Sequence, residues 1–213
     1  MSANKTLLLA VLFLCASGLV FTQYEYEYEY EQPDEPGYLL YREGRFMEAA
    51  VELRLAQESA ADLAAWTEAS YWLILAELSL SDFGSAIWDM DDLQDKAPDS
   101  RRARDLVYHR GLALFHLEYF DEAIMLFKSY ADNAGERDRL RKSSAYYWMG
   151  ECLYLLELPE MALDFYHLVI KQYPDSLKHE AAASRIAEIK YKAIEDKLFT
   201  LLNSLHTEME HQE

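Results

Sequence analysis

Apolar residues recur along this chain at steps of three and four, broken by short polar turns. Leu106–Leu117 keeps that spacing, Glu118-Tyr119-Phe120-Asp121 interrupts it, and Glu122–Ala131 resumes it on a second face. Such a period predicts amphipathic helices joined by a tight turn. Toward the end, Ile186, Ile189, Ala193, Ile194, Leu198, Leu201 and Leu205 continue the rhythm, predicting one long helix, or two with a break, from Leu177 to about Leu205. Strand signals are missing, because no run of β-branched residues is bounded by Gly or Pro. One tract alternates strictly, Tyr24 to Glu31, where Tyr and Glu repeat four times. Nothing else in the chain could pair with it as a strand, and its self-repelling glutamates before Pro33 and Pro36 favour an extended tether.

The helical pattern itself repeats. Ala49, Ala86, Ala123 and Ala162 lie 37, 37 and 39 residues apart. Three residues before them stand Phe46, Phe83, Phe120 and Pro159; four after stand Leu53, Met90, Phe127 and Tyr166. Twelve before stand Gly37, Ile74, Gly111 and Gly150, and twelve after stand Ala61, Pro98, Gly135 and Pro174. Pro-Asp-Ser recurs at 98–100 and 174–176, the same offset that separates Ala86 from Ala162. A fixed period of this size marks a repeat architecture. The small residues let two antiparallel helices approach closely while aromatics fill the remaining space. Pro98 and Pro174 end the return helices, and Ser100 and Ser176 offer a cap to the next helix. One hairpin cannot bury its own apolar face, so neighbours must stack into a solenoid. The units fall at about 37–61, 68–98, 104–135 and 143–174, within a repeat region of 37–176.

The series Tyr147-Trp148-Met149-Gly150, Ala162, Tyr166 and Pro174 resembles the tetratricopeptide repeat (TPR) family over about residues 37–190. The phrase Gln172-Tyr173-Pro174-Asp175-Ser176 is similar to bacterial envelope members, among them the TPR lipoprotein of the outer-membrane β-barrel assembly machine and the periplasmic division coordinator linked to Tol–Pal. The resemblance implies an all-α fold, a right-handed α-solenoid of antiparallel helix hairpins with a long C-terminal capping helix. It also implies a non-enzymatic scaffold for protein–protein interaction. Ile74 in place of a small residue, Gly135 in place of Pro, and a period above the usual ~34 residues depart from the family pattern. Helices longer by about one turn would follow.

The chain's ends carry an address. Lys5, the apolar Leu7–Leu14 and the small Ala16-Ser17-Gly18 read as a secretory signal over residues 1–18. Three fates stay open: cleavage, retention as an anchor, or lipidation at Cys15. Phe13 and Leu14 before that cysteine do not suit a lipobox, and the apolar stretch from Thr6 to Thr22 falls just short of a comfortable span. Residues 19–36 then form a low-complexity Tyr/Glu linker, residues 177–205 the capping helix, and 206–213 a flexible tail. The expected location is periplasmic or otherwise extracytoplasmic, with membrane contact only through the N-terminal segment. The tether reads as a spacer or, alternatively, as a docking peptide.

Charge narrows the partners. The net charge of −18 argues against nucleic acid, whose phosphates need basic surface, and against adhesion to anionic lipid. Two basic clusters interrupt the acidity, Arg101, Arg102 and Arg104, then Arg137, Arg139, Arg141 and Lys142. They read as partners of nearby carboxylates or as a local anion contact. Cys152 is the only thiol left once the signal is removed, and it suits a buried small side chain beside Gly150. No phosphate loop, nucleophile elbow or His-Glu-x-x-His occurs, and His109 and His116 are about 10 Å apart along a helix, too far to share a metal. The expectation is therefore no enzyme, no cofactor and no metal.

The TPR resemblance implies that the first helix of each hairpin lines a concave groove. At the positions 15 and 8 residues before each alanine stand Tyr41, Tyr71, Tyr108, Phe115, Tyr147 and Tyr154, each pair on one helix face. As a ladder in the groove they would grip a protein or peptide segment; as inter-repeat core they would fill space between hairpins. The Lys, Arg and Asn clamp of carboxylate-binding relatives is missing at the corresponding positions. The reading is an extracytoplasmic scaffold in the bacterial envelope, serving outer-membrane assembly or envelope and division coordination, with a monomer expected. The other reading is a self-associating structural envelope protein joined through the 198–205 stripe or the tether.

Overall fold

A computed structural model describes residues 35–135 and 138–210. The signal, the Tyr/Glu alternation, Cys15 and Arg137 lie outside the described residues. Among the described residues the chain forms nine helices and no strand: α1 (Pro36–Arg42), α2 (Phe46–Glu58), α3 (Leu63–Ser79), α4 (Phe83–Lys96), α5 (Arg101–His116), α6 (Phe120–Asn133), α7 (Arg139–Leu155), α8 (Pro159–Gln172) and α9 (His179–Glu210). Each helix packs chiefly on its sequence neighbours, giving the stacked hairpins of a TPR-like solenoid. Three buried clusters follow one another along the stack, spanning α1–α5, α5–α7 and α7–α9. None of these helices is long and apolar enough to cross a membrane.

The alanine period is the register of the return helices. Phe46, Phe83, Phe120 and Pro159 are their first residues, and Ala49, Ala86, Ala123 and Ala162 sit one turn in, with no exposed surface. The residue four further on packs across the hairpin against the residue twelve before the alanine. A Cβ added at Gly37 would stand 2.6 Å from Leu53, at Gly111 2.8 Å from the Phe127 ring, and at Gly150 2.7 Å from the Tyr166 ring. Only glycine allows the two helices that close. In the second hairpin Ile74 is tolerated because its opposite number is the unbranched Met90, buried in the same cluster.

Every turn into a return helix has the same geometry. The residue five before the alanine is left-handed: Gly44 at φ 76°, Ser81 at 61°, Glu118 at 65° and Glu157 at 60°. Two backbone bonds close each turn. In the third hairpin Glu118 N–H donates to the Phe115 carbonyl (3.0 Å) and Tyr119 N–H to that of Leu114 (2.9 Å). This is the Schellman closure, which satisfies carbonyls orphaned at the helix end. Three of the four positions bear a side chain where glycine would avoid a cost of about 1–2 kcal/mol.

Capping follows the sequence only in part. Asp62, Asp82 and Ser100 accept from backbone N–H groups of Ala65 (2.8 Å), Ser85 (3.2 Å) and Ala103 (3.0 Å) at the starts of α3, α4 and α5. Ser176 does something else. It is buried, accepts from Lys178 N–H (3.1 Å) within the turn, and shares a hydrogen bond of 2.6 Å with Ser143 on α7. The serine therefore ties the start of α9 back to the previous hairpin rather than capping α9 itself.

Two glycine substitutions should shift stability in opposite directions. Gly111→Ala gains up to ~1 kcal/mol of helix propensity but drives a methyl into the fully buried Phe127 ring, costing about 1–3 kcal/mol. A net loss is expected, read as a lower urea midpoint. Gly84→Ala, where a Cβ meets nothing within 4 Å, should raise that midpoint.

Candidate protein-docking face

The first helices of the hairpins, α1, α3, α5 and α7, also touch one another in series, while no pair of return helices packs to a comparable extent. The α1–α3–α5–α7 side is therefore the inner face of the stack. All six ladder residues lie on these helices. Tyr41, Tyr71, Tyr108 and Tyr147 are buried, whereas Phe115 and Tyr154 are half-buried.

The buried rings are held by the next repeat. The position 14 before each alanine supplies Trp72, His109 and Trp148, which reach back onto the preceding hairpin. Tyr41 packs on Trp72 with centroids 5.5 Å apart, Tyr71 on His109 at 6.4 Å, and Phe115 on Trp148 at 4.9 Å. Trp148 Nε1–H also donates to the Tyr108 hydroxyl oxygen (3.2 Å). Adjacent hairpins are thus joined by rings that interlock at offset and edge-on geometries, the arrangement aromatic quadrupoles favour.

A second series, invisible as such in the sequence, covers the same tyrosines with cations. The Arg102 guanidinium lies 4.1 Å from the Tyr71 centroid, that of Arg141 5.9 Å from Tyr108, and the Lys178 ammonium 5.5 Å from Tyr147 and 4.9 Å from Trp148. Arg102 and Arg141 occupy equivalent places, 21 residues before their alanines, and both are buried. Arg102 also pairs with Glu68, its Nε donating over 2.8 Å. Cations stacked on partly desolvated rings contribute about 1–2 kcal/mol each. The two basic clusters of the sequence are largely spent in this way: Arg104 donates to the Asp99 carbonyl (2.9 Å), and Arg139 to the Gln172 carbonyl (2.8 Å) while lying over Tyr173.

At the C-terminal end of the face the chemistry centres on Glu151. Its carboxylate accepts from the Tyr166 hydroxyl (2.6 Å) and, through both oxygens, from the Arg185 guanidinium of α9 (2.8 to 3.2 Å). Arg185 covers the Tyr154 ring at 4.9 Å, and the Tyr154 hydroxyl donates to Glu188 (3.0 Å). Burial and the Glu151 charge push the Tyr166 and Tyr147 hydroxyls well above the usual phenol range. Burial, then Glu151, also pushes the Cys152 thiol up to about 12, so this buried thiol stays protonated at neutral pH. Phe115, Trp148 and Tyr154 remain as ring surface fixed in place yet partly open.

A further buried network lies near the N-terminal end. Arg54 on α2 donates to both oxygens of Asp89 on α4 (2.9 and 2.7 Å) and to Glu77 on α3 (2.8 Å). Burial, and next the adjacent Asp89 carboxylate, raise Glu77 to about 8. An open cleft of about 340 Å³ beside it is lined by Met47, Val51, Leu55 and Leu73 as well as Arg54 and Glu77. His109 and His116 are both depressed by burial, and His116 stacks on Phe83 at 4.7 Å. Among the described residues no three His, Cys, Asp or Glu side chains are placed to hold a metal ion.

Residues 144–176 match the tetratricopeptide repeat family model, a span from the first turns of α7 through the turn after α8. No curated protein matches the chain. Two solved structures share the fold at 18% identity. One is the MamA RS-1 ArsTM double mutant (TM-score 0.54, covering 75% of this chain and 92% of that one). The other is MamA from residue 41 to the end, from Desulfovibrio magneticus RS-1 (TM-score 0.53, 73% and 89%). The chain therefore has an all-helical solenoid fold of stacked hairpins, and its α7–α8 hairpin matches a tetratricopeptide repeat.

Glu77 gives the fold a pH dependence. The folded state holds this proton to about pH 8, whereas the unfolded chain releases it near 4.5. The folded state therefore binds more protons in between, and stability falls as pH rises through that range. His109 and His116 act oppositely, but only below about 6.5, where the unfolded chain would protonate them. Between pH 6.5 and 8 urea unfolding should thus lose stability by up to ~1.4 kcal/mol per pH unit, and Glu77→Gln should flatten that slope.

Proposed function

We propose that this chain is a non-enzymatic, extracytoplasmic scaffold of the bacterial envelope that docks a protein segment across the inner face of its solenoid. One observation carries the reading. Phe115, Trp148 and Tyr154 present fixed, partly open ring surface on consecutive first helices, in a TPR-type fold that serves protein–protein contact. A bound segment would lie across α5, α7 and the start of α9, with apolar side chains against these rings and donors toward Glu188. Because each ring is already held by a neighbour, little side-chain entropy is lost on docking. The deeply buried Tyr41, Tyr71, Tyr108 and Tyr147 fix the spacing of the face, and the direct contacts fall to Phe115 and Tyr154.

The envelope address rests on the Lys5, Leu7–Leu14 and Ala16-Ser17-Gly18 pattern and on the resemblance to envelope TPR proteins. That resemblance points to outer-membrane assembly or to envelope and division coordination. Binding of nucleic acid is disfavoured by the charge of −18.

The test is a photoreactive side chain at Tyr154 in cells, with a control at Glu122, which is exposed on α6. A discrete adduct from Tyr154 and none from Glu122 is expected, and Phe115→Ala should diminish it at a temperature where the variant, destabilised by about 1–3 kcal/mol through its lost contact with Trp148, is still folded by circular dichroism. Equal labelling from both positions would reject the inner face as the docking surface.

A further inference from the structure

The first part of α9 closes the stack: Ala182, Ile186 and Ile189 are buried against the last hairpin. Beyond Ile189 every described side chain to Leu205 is exposed, so the helix leaves the solenoid with nothing in the described chain packed on it. Twenty-one residues from Lys190 to Glu210 run on for ~30 Å. Helices of that length are marginal in water unless an apolar face is covered. This one is strongly apolar, with Tyr191, Ile194, Leu198, Leu201, Leu202 and Leu205 each about half exposed or more.

The spacing tells what would cover it. Tyr191, Ile194, Leu198, Leu201 and Leu205 follow one another at steps of three, four, three and four. That is a strict 3.5-residue seam, with Tyr191, Leu198 and Leu205 at a positions and Ile194 and Leu201 at d positions, the pattern of a coiled coil. In this register Lys190 falls at g and Glu195 at the following e. In a parallel pair, g of one helix meets the next e of its partner, so Lys190 would face Glu195 twice. An antiparallel pair sets g against g and brings lysines together around Lys197. Membrane adsorption is disfavoured by charge: Lys190, Lys192 and Lys197 are outnumbered by Glu195, Asp196, Glu208 and Glu210.

We propose that the projecting half of α9, from Tyr191 to Leu205, associates with the same segment of further copies of this chain as a short parallel coiled coil, in which leucine at a and isoleucine at d accommodate three or four strands as well as two. Each pair of helices would remove on the order of 1,000 Å² from water, close to the lower edge of stable interfaces. A seam this short gives an oligomer that dissociates in the micromolar range. The solenoids then emerge side by side from one end of the coil, with their inner faces free. This pairing does not depend on the docking reading above.

The test is sedimentation equilibrium of the purified chain from about 1 to 100 µM, with Leu198→Asp as the variant. Leu198 is exposed, so at concentrations where wild type is a single chain the variant should keep the wild-type thermal unfolding curve of the solenoid. A mass rising to a discrete oligomer of two to four chains in wild type and staying at one in Leu198→Asp is expected. Glu195→Lys should weaken the association several-fold, and Lys190→Glu added to it should restore it. Leu201→Cys should link two chains through the introduced thiols under mild oxidation far faster than Leu201→Cys combined with Leu198→Asp, because a parallel coil sets the two thiols opposite each other and an antiparallel one does not. A single-chain mass at all concentrations overturns the proposal. If the thiol introduced by Leu201→Cys then resists maleimide, the chain's own N-terminal segment covers the stripe. If that thiol reacts freely in the monomer, the occupant is another partner. An association indifferent to Leu198→Asp overturns the proposal as well.

Discussion

The close approach of each helix pair at one point governs this molecule. A hydrogen atom at Gly37, Gly111 and Gly150 faces Leu53, Phe127 and Tyr166 across a gap that no Cβ fits. Because the hairpin closes there, the alanine one turn into the return helix is sealed from solvent, and the left-handed turn before it must recur at the same place. The constraint is strong enough to hold Ser81, Glu118 and Glu157 in a backbone conformation that costs side-chain-bearing residues free energy. Local strain is thus accepted at three turns to keep one steric register.

Stacking of hairpins rests on a different interaction. Rings at fixed places in one hairpin are clasped by a ring and a cation from the next, as Tyr71 is by His109 and Arg102, and Tyr108 by Trp148 and Arg141. The aromatics accordingly work twice, as glue between repeats and, where Phe115, Trp148 and Tyr154 stay partly open, as surface. In a one-dimensional stack each such joint couples only neighbours. The Arg54, Glu77 and Asp89 network at one end and the Glu151 and Arg185 network at the other are therefore separate devices.

The repeat, the helical class and the register were legible because they rest on local spacing: Ala49 to Ala162, with the glycines twelve before, could be read without any contact map. Ladder residues could be placed on one helix face, but their burial could not, since it is decided by Trp72, His109 and Trp148 arriving from the following hairpin. Arg102 and Arg141 looked like surface charge because sequence shows a guanidinium and not the ring beneath it. The turn at Glu118 is placed by the break in the apolar period, but its left-handed backbone is not legible, for a related reason. Only Gly44 carries the residue type that signals a left-handed turn, whereas at Glu118 and Glu157 the backbone bonds of the closure override propensity.

Charge and stacking together shape what the surface offers. The chain carries 20 Lys and Arg against 38 Asp and Glu. Several of those cations, Arg54, Arg102, Arg141, Lys178 and Arg185, are turned onto rings or into carboxylates within the fold. Those that pair with carboxylates cancel them within the fold, so the net charge of −18 is left to be carried by the remaining, largely exposed acidic side chains. Such a field repels acidic polymers at long range and favours neutral or basic partners. In the docking reading proposed above, recognition at close range would belong to the rings, whose position the cations fix. The same cations that brace the stack are thus taken up within it, so the joints between hairpins and the acidic surface around them follow from one arrangement of charge.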